Sequence, residues 1–162
     1  MEQNTCMNHH PALAAVTLLA LSTAALWGSP CRAALGGDAA SVALDRSALH
    51  GDLSATIAPH IRIQEITNMD GMRVREYLDG RGMVFAVTWS GPAIPDLRQL
   101  LGVYFDEYQA ALRSFKPIGM HRSIRIAGPS IEVELSGHMR AYSGRAYLTA
   151  QVPAEIRVGD LR

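Results

Sequence analysis

Residues 83–115 read MVFAVTWSGPAIPDLRQLLGVYFDEYQAALRSF, and this stretch decides the fold. From Met83 to Trp89 nearly every side chain is apolar, so both faces of a strand there are covered. Pro92 and Pro95 forbid the strand from continuing. From Leu97 the apolar residues fall at Leu97, Leu100, Leu101, Tyr104, Phe105, Tyr108, Leu112 and Phe115. That spacing is one buried face of a helix. Pro95 suits the first helical position, Asp96 in the first turn complements the helix dipole, and Lys116-Pro117 ends the element. A helix with one apolar face requires a surface to cover, and the flanking segments supply strands.

Downstream, Ile124 and Ile126 alternate with Ser123 and Arg125, and Gly128-Pro129 is a turn. Ile131, Val133 and Leu135 alternate with Glu132 and Glu134, a half-buried strand. Gly137 marks another turn. Arg140 to Gln151 reads as a last long strand, with a bulge or bend at Gly144. Upstream, Met72 and Val74 alternate with Arg73 and Arg75. His60 to Thr67 carries Ile61 and Ile63 in phase and Ile66 out of phase. Asn68-Met69-Asp70-Gly71 and Asp79-Gly80-Arg81-Gly82 are the turns of an antiparallel meander. His50 to Pro59 shows no period and reads as a loop. Asp38 caps a short helix through Ala39 to Leu49, with Ala40, Leu44 and Ala48 on one face.

The expectation is therefore an α+β fold. An antiparallel curved sheet of five or six strands carries one long amphipathic helix on one face, plus a short N-terminal helix. Residues 60–152 form the domain, residues 34–59 the short helix and loop before it, and residues 153–162 a polar C-terminal tail.

Residues 1–33 read as an export signal. An apolar run from Pro11 to Trp27 is followed by helix breakers and the small-residue site Cys31-Arg32-Ala33. The run holds Ala, Ser and Thr and sits at the low edge of the about 17–25 residues that span a bilayer, so cleavage near Ala33 is favoured over a retained anchor. The region before it lacks Lys and Arg, and Met7 is an alternative start to Met1. Cys6 and Cys31 both fall in this segment, so the remainder has no disulfide or thiol chemistry. The remainder is long enough to be stabilised by its core alone.

The formal net charge is zero, and removing Glu2 and Arg32 with the signal leaves it zero. A nucleic-acid binder needs a basic surplus, and so does a polybasic membrane-surface module. Neither is expected here, and membrane contact is confined to an uncleaved signal.

Candidate chemistry is sparse. Ser90, His138 and Asp96 assemble a triad only on paper, because the nucleophile-elbow motif is missing. His50, His60, His121 and His138 lack metal-ligand spacing, so no metal and no cofactor is expected. Asp106 and Glu107 fall on the solvated face of the helix. Glu132 and Glu134 are the polar half of their strand. The richest cluster is on the last strand, where His138, Arg140 and Tyr142 share a face and a bulge at Gly144 brings Arg145 and Tyr147 onto it. Arg and Tyr recur at recognition surfaces, although the outer face of any half-exposed sheet is similarly decorated.

Several stretches resemble one family. They are residues 34–45, ALGGDAASVALD, residues 74–77, VREY, residues 84–92, VFAVTWSGP, residues 95–102 with Tyr104 and Phe105, and residues 137–147, GHMRAYSGRAY. They look like the uncharacterised secreted bacterial proteins grouped as domain-of-unknown-function family 2844. The resemblance spans nearly all of the chain after the signal. It implies an exported protein of Gram-negative proteobacteria, and it carries over no activity and no functional residue.

The resulting expectation is a non-enzymatic module, periplasmic or extracellular, that binds another envelope protein or a surface component through the last strand. The alternative is a small-ligand carrier with a pocket between helix and sheet, lined by Phe85, Tyr104, Phe105 and Tyr108. A hydrolase using His138, Arg140 and Glu132 ranks below both.

Overall fold

In the computed structural model, residues 34–116 and 123–162 are described. The signal reading at residues 1–33, and His121, lie outside them. The order is α1 (Ala39–Leu49), β1 (Asp52–Ala58), β2 (Ile61–Thr67), β3 (Arg73–Leu78), β4 (Val84–Gly91), α2 (Leu97–Leu101), α3 (Phe105–Ser114), β5 (Ser123–Ala127), β6 (Ile131–His138) and β7 (Ala141–Leu148). The strands form one sheet in the order β1-β2-β3-β4-β7-β6-β5, and every pairing is antiparallel.

The α+β reading holds, but the sheet has seven strands rather than five or six. The extra one is β1, which the sequence reading took for a loop. It is an edge strand exposed along almost its whole length, and its alternation of Leu53, Ala55 and Ile57 with Ser54 and Thr56 is too short and too weakly apolar to stand out as a period.

The central strand behaves as its composition demands, with Val84 to Trp89 all buried. One face packs against the helices, joining Val74, Val87, Trp89, Val133 and Ala146 to Leu100, Leu101 and Tyr108. The other carries a second core of Tyr77, Phe85, Ala86, Tyr147 and Leu161, with Ile61, Ile63, Ile156 and Val158 against it. Two covered faces explain the phase break on β2. Ile61 and Ile63 serve the second core, while Ile66 serves the first. The register shifts where Leu78 pairs with Val84 and Tyr77 with Ala86, so Phe85 is a bulged residue turned to the second face. The tail read as polar folds back over that face, and its Leu161 is buried.

The helical segment after Pro95 is in place, but Gly102 divides it. This glycine adopts φ 50°, and a 3-10 turn over Gly102–Tyr104 joins α2 to α3. The change of winding rotates the apolar face, so Ala111 meets the core and Leu112 is exposed. Asp96 is the N-cap of α2 rather than a first-turn residue, accepting from the Arg98 and Gln99 amides. Glu107 is not simply solvated. Its Oε1 accepts from the amides of Ser130 and Ile131 at 2.6 and 3.0 Å, tying α3 to the start of β6.

Asp38 caps α1 as expected, through the Ala40 and Ser41 amides. The buried side of α1 is Ser41, Val42 and Asp45, while Ala40, Leu44 and Ala48 face solvent. The cause is a polar junction. Asp45 and Glu76 are both fully sequestered, and Gln99 Nε2 donates to Asp45 Oδ1 at 2.7 Å. Glu76 is flanked across the sheet by Gln64 and Val87. Burial, and then the neighbouring Asp45, push the Glu76 carboxyl up to about 8, and burial also raises Asp45. Glu76 therefore stays protonated near neutral pH, with the Asp45 carboxyl of α1 beside it.

A carboxyl raised in the folded state contributes stability that is complete below its ordinary value of 4.5 and is lost as pH rises through 8. Urea unfolding across that window will show stability falling by up to about 1.4 kcal/mol per pH unit, the slope of one proton. Glu76→Gln will flatten this slope. An unchanged slope in that variant would place the titration elsewhere.

Candidate binding site

Strand parity builds the polar part of the second face. Arg73 and Arg75 alternate with buried Val74 and Glu76 on β3, and Thr88 and Ser90 flank buried Trp89 on β4. Register then sets Arg73 beside Ser90, Arg75 beside Thr88, Thr88 beside Arg145, and Ser90 beside Ser143. On the next strand Arg145 stands beside Glu134 and Ser143 beside Ser136. These side chains form one patch across the β4–β7 seam. Leu161 and Arg162 of the tail add a wall, and together they enclose a cleft of about 450 Å³.

The arginines organise this face. Glu65 pairs with Arg73 at 3.3 Å and with Arg75, whose pKa rises chiefly through that hydrogen bond. Glu134 pairs with Arg145 at 2.6 Å and with Arg125 at 2.9 Å. Arg145 Nη1 also donates to the Val158 carbonyl at 2.7 Å. Arg75 Nη1 and the Tyr77 hydroxyl donate to the Arg162 carbonyl, so guanidinium forks hold the tail over the sheet. The Tyr147 phenol is pushed up to about 12 by burial and then by its hydrogen bond to Glu132, so it remains a neutral donor. Of the arginines on the strands of the cleft, Arg73 is the least engaged, with its side chain 51% exposed.

The cluster expected on the last strand does not share one face. His138 ends β6, exposed, with Nδ1 3.2 Å from the Met139 carbonyl. Arg140 lies in the hairpin turn at φ 65°, not on a strand. Tyr142 pairs with Gly91 and Gly137 on the helix side of the sheet, whereas Arg145 and Tyr147 face the tail. Of the five, only Arg145 lines the cleft. Gly144 is not a bulge, since the register runs unbroken from Ala141 to Leu148. It sits under the Trp89 indole, and a Cβ there would come within 3.0 Å of the ring and of the Glu134 carbonyl.

The other candidate sets also separate. Asp96 caps α2 and His138 stands at a hairpin, so neither accompanies Ser90 in the cleft. Glu132 is held by Arg125 and Tyr147, away from Arg140. Phe85 belongs to the second core while Tyr104, Phe105 and Tyr108 pack on the first, so the four line no common pocket. The sequence reading missed Arg73, Arg75, Thr88, Ser136 and Ser143. Their signal was charge and hydroxyl at every second position of strands whose other positions are apolar, but only the strand order brings them together.

A family model described as "Protein of unknown function (DUF2844)" matches residues 31–161. No curated protein and no solved structure matches the chain.

Arg145→Ala will lower the unfolding free energy by about 2 kcal/mol, because a part-buried carboxylate and a backbone carbonyl lose their donor. Arg145→Lys will restore less than half, since an ammonium cannot fork to both. Arg140→Ala will change stability by less than about 0.5 kcal/mol. Urea titrations compare the three, and equal effects at the two positions would contradict the assigned roles.

Proposed function

The chain belongs to the family of proteins of unknown function DUF2844, and with no activity to inherit from it we propose that this protein is an exported, non-enzymatic binding module whose recognition site is the cleft over the β4–β7 seam. One observation carries the reading. Among the described residues the lining combines Arg73, Arg75, Arg145 and Arg162 with one acidic side chain, Glu134, and with hydroxyls from Thr88, Ser90, Ser136 and Ser143.

Forked cations beside hydroxyl donors suit a carboxylate or phosphate group on a polar ligand. The cleft volume falls in the range of small-molecule sites, so it fits a small anion or the acidic portion of a surface component. Among the arginines of the strands, Arg73 has most capacity left, because it meets only Glu65 at 3.3 Å, whereas Arg75 and Arg145 also hold the tail.

The lining also favours binding over catalysis. Among the described residues no histidine lines the cleft, and its Glu134 carboxylate is paired with two arginines. Glu76, whose carboxyl burial pushes up to about 8, is sealed on the helix side of the sheet. A poised acid or base within reach of a ligand is the usual requirement for general catalysis. The export signal read in residues 1–33 supports placement in the envelope.

A thermal-shift panel tests the reading. Polycarboxylates and phosphate esters will raise Tm in proportion to occupancy, and neutral sugars of similar size will not. Arg73→Gln will weaken the anion response roughly tenfold, the worth of one charge-assisted contact. Anion responses that persist in that variant, or no response to any anion, would remove the cleft as the recognition site.

A further inference from the structure

The two ends of the sheet differ. At one end, β5 carries Arg125 at its centre, held by Glu132 and Glu134. A charge in the middle of an edge strand discourages pairing with another chain. At the other end, β1 reads Asp-Leu-Ser-Ala-Thr-Ile-Ala over Asp52–Ala58. It has no Lys, Arg or Pro, its pairing to β2 is unbroken, and its only ionisable residue is at its first position. Leu53 and Ile57 are 38% and 82% exposed. Among the described residues, no charge within the strand, proline, bulge or covering element protects this edge.

The strand is also self-complementary. Ala58 and Ile61 close the β1–β2 hairpin around two residues, Pro59 and His60. The closing pair of such a hairpin directs its N–H and C=O groups at each other, and alternation then turns those of Leu53, Ala55 and Ile57 outward. A two-fold axis perpendicular to the sheet through Ala55 pairs all seven residues of one β1 with those of a second. In that register Leu53 meets Ile57 of the second copy, and Ile57 meets its Leu53. Ser54 meets Thr56, and Asp52 meets Ala58, so no like charges oppose. Any other axis that keeps the faces matched shortens the ladder by at least two residues and leaves Leu53 or Ile57 without an apolar partner.

We infer that β1 is a homodimer interface, in which two copies join antiparallel about Ala55 into one continuous sheet. The partner is a second copy because the same seven residues complement themselves in charge, polarity and register, which is what an isologous contact requires. The contact is small, which places the dimer in the weak, concentration-dependent class. Only β2 separates it from β3, the nearest strand of the cleft, but no residue of β1 lines the cleft.

Crosslinking of the full chain through one introduced cysteine tests the register, with Cys6 and Cys31 replaced by Ser in every variant. Ala55→Cys places two thiols across the axis, within disulfide reach. Asp52→Cys places them about 20 Å apart, from six residues of strand rise. The inference requires the first to form disulfide dimers at least tenfold faster than the second. Equal rates would overturn it. Sedimentation gives an independent reading. The unsubstituted protein will pass from monomer to dimer with concentration, and Ile57→Lys, at an exposed position that leaves the fold intact, will raise the dissociation constant at least tenfold. A monomer up to ~1 mM, the limit of weak association, open-ended assembly, or an Ile57→Lys dimer of unchanged affinity would each overturn the inference.

Discussion

The pairing of β4 with β7 is the constraint on which the rest depends. Strands β1 to β4 form a local meander, and β5 to β7 form a second one after the helices. Within the sheet, only the six residue pairs from Ala86–Tyr147 to Gly91–Tyr142 join the two. This pairing carries the cost of closing a long loop, because Trp89 and Gly144 are separated by the helical segment and two strands. It is held by an apolar strand buried on both faces and by an indole lying over a residue with no side chain. The lack of a Cβ at Gly144 is therefore a packing requirement rather than a bend.

The two faces of that seam have different roles. The helix side is filled by side chains from α1, α2 and α3, and it includes a polar junction of Asp45, Glu76 and Gln99. That junction fixes the helices to the sheet and is closed to solvent. The tail side is only partly covered, and its uncovered part is where parity places guanidinium and hydroxyl groups. Glu65 and Glu134 limit the excess of positive charge and position the forks, while the carbonyls of Val158 and Arg162 bring the tail down as a wall. The cleft is thus a consequence of the seam. Its two halves come from strands that meet only there.

The sequence disclosed most of the fold because most elements bury a face. The strand at residues 83–89, the amphipathic strand at Ile131 and the cap at Asp38 each carry their own signal. The misreadings have separate physical causes. β1 buries nothing, so its alternation of Leu53, Ala55 and Ile57 with Ser54 and Thr56 looks like a loop. Gly102 resets the helical phase, which moves Leu112 off the core. Arg140 takes the positive φ of a tight turn where glycine is usual, so the sequence reading puts the turn at Gly137 and draws His138, Arg140 and Tyr142 on one strand, although the chain turns between His138 and Ala141. The candidate site was illegible for a different reason. Its residues come from four strands and the tail, and their meeting is a property of strand order, which no local pattern encodes.

The seam is tested most directly by the unfolding free energy of Gly144→Ala, measured in the wild type and in the Trp89→Leu background. If the indole over Gly144 locks the two halves together, the substitution costs upward of about 3 kcal/mol in the wild type, the class of an overpacked core. It then costs at least about 1 kcal/mol less once the indole is gone, the coupling of residues in contact. Equal costs in the two backgrounds, or a wild-type cost below about 0.5 kcal/mol, would contradict the account.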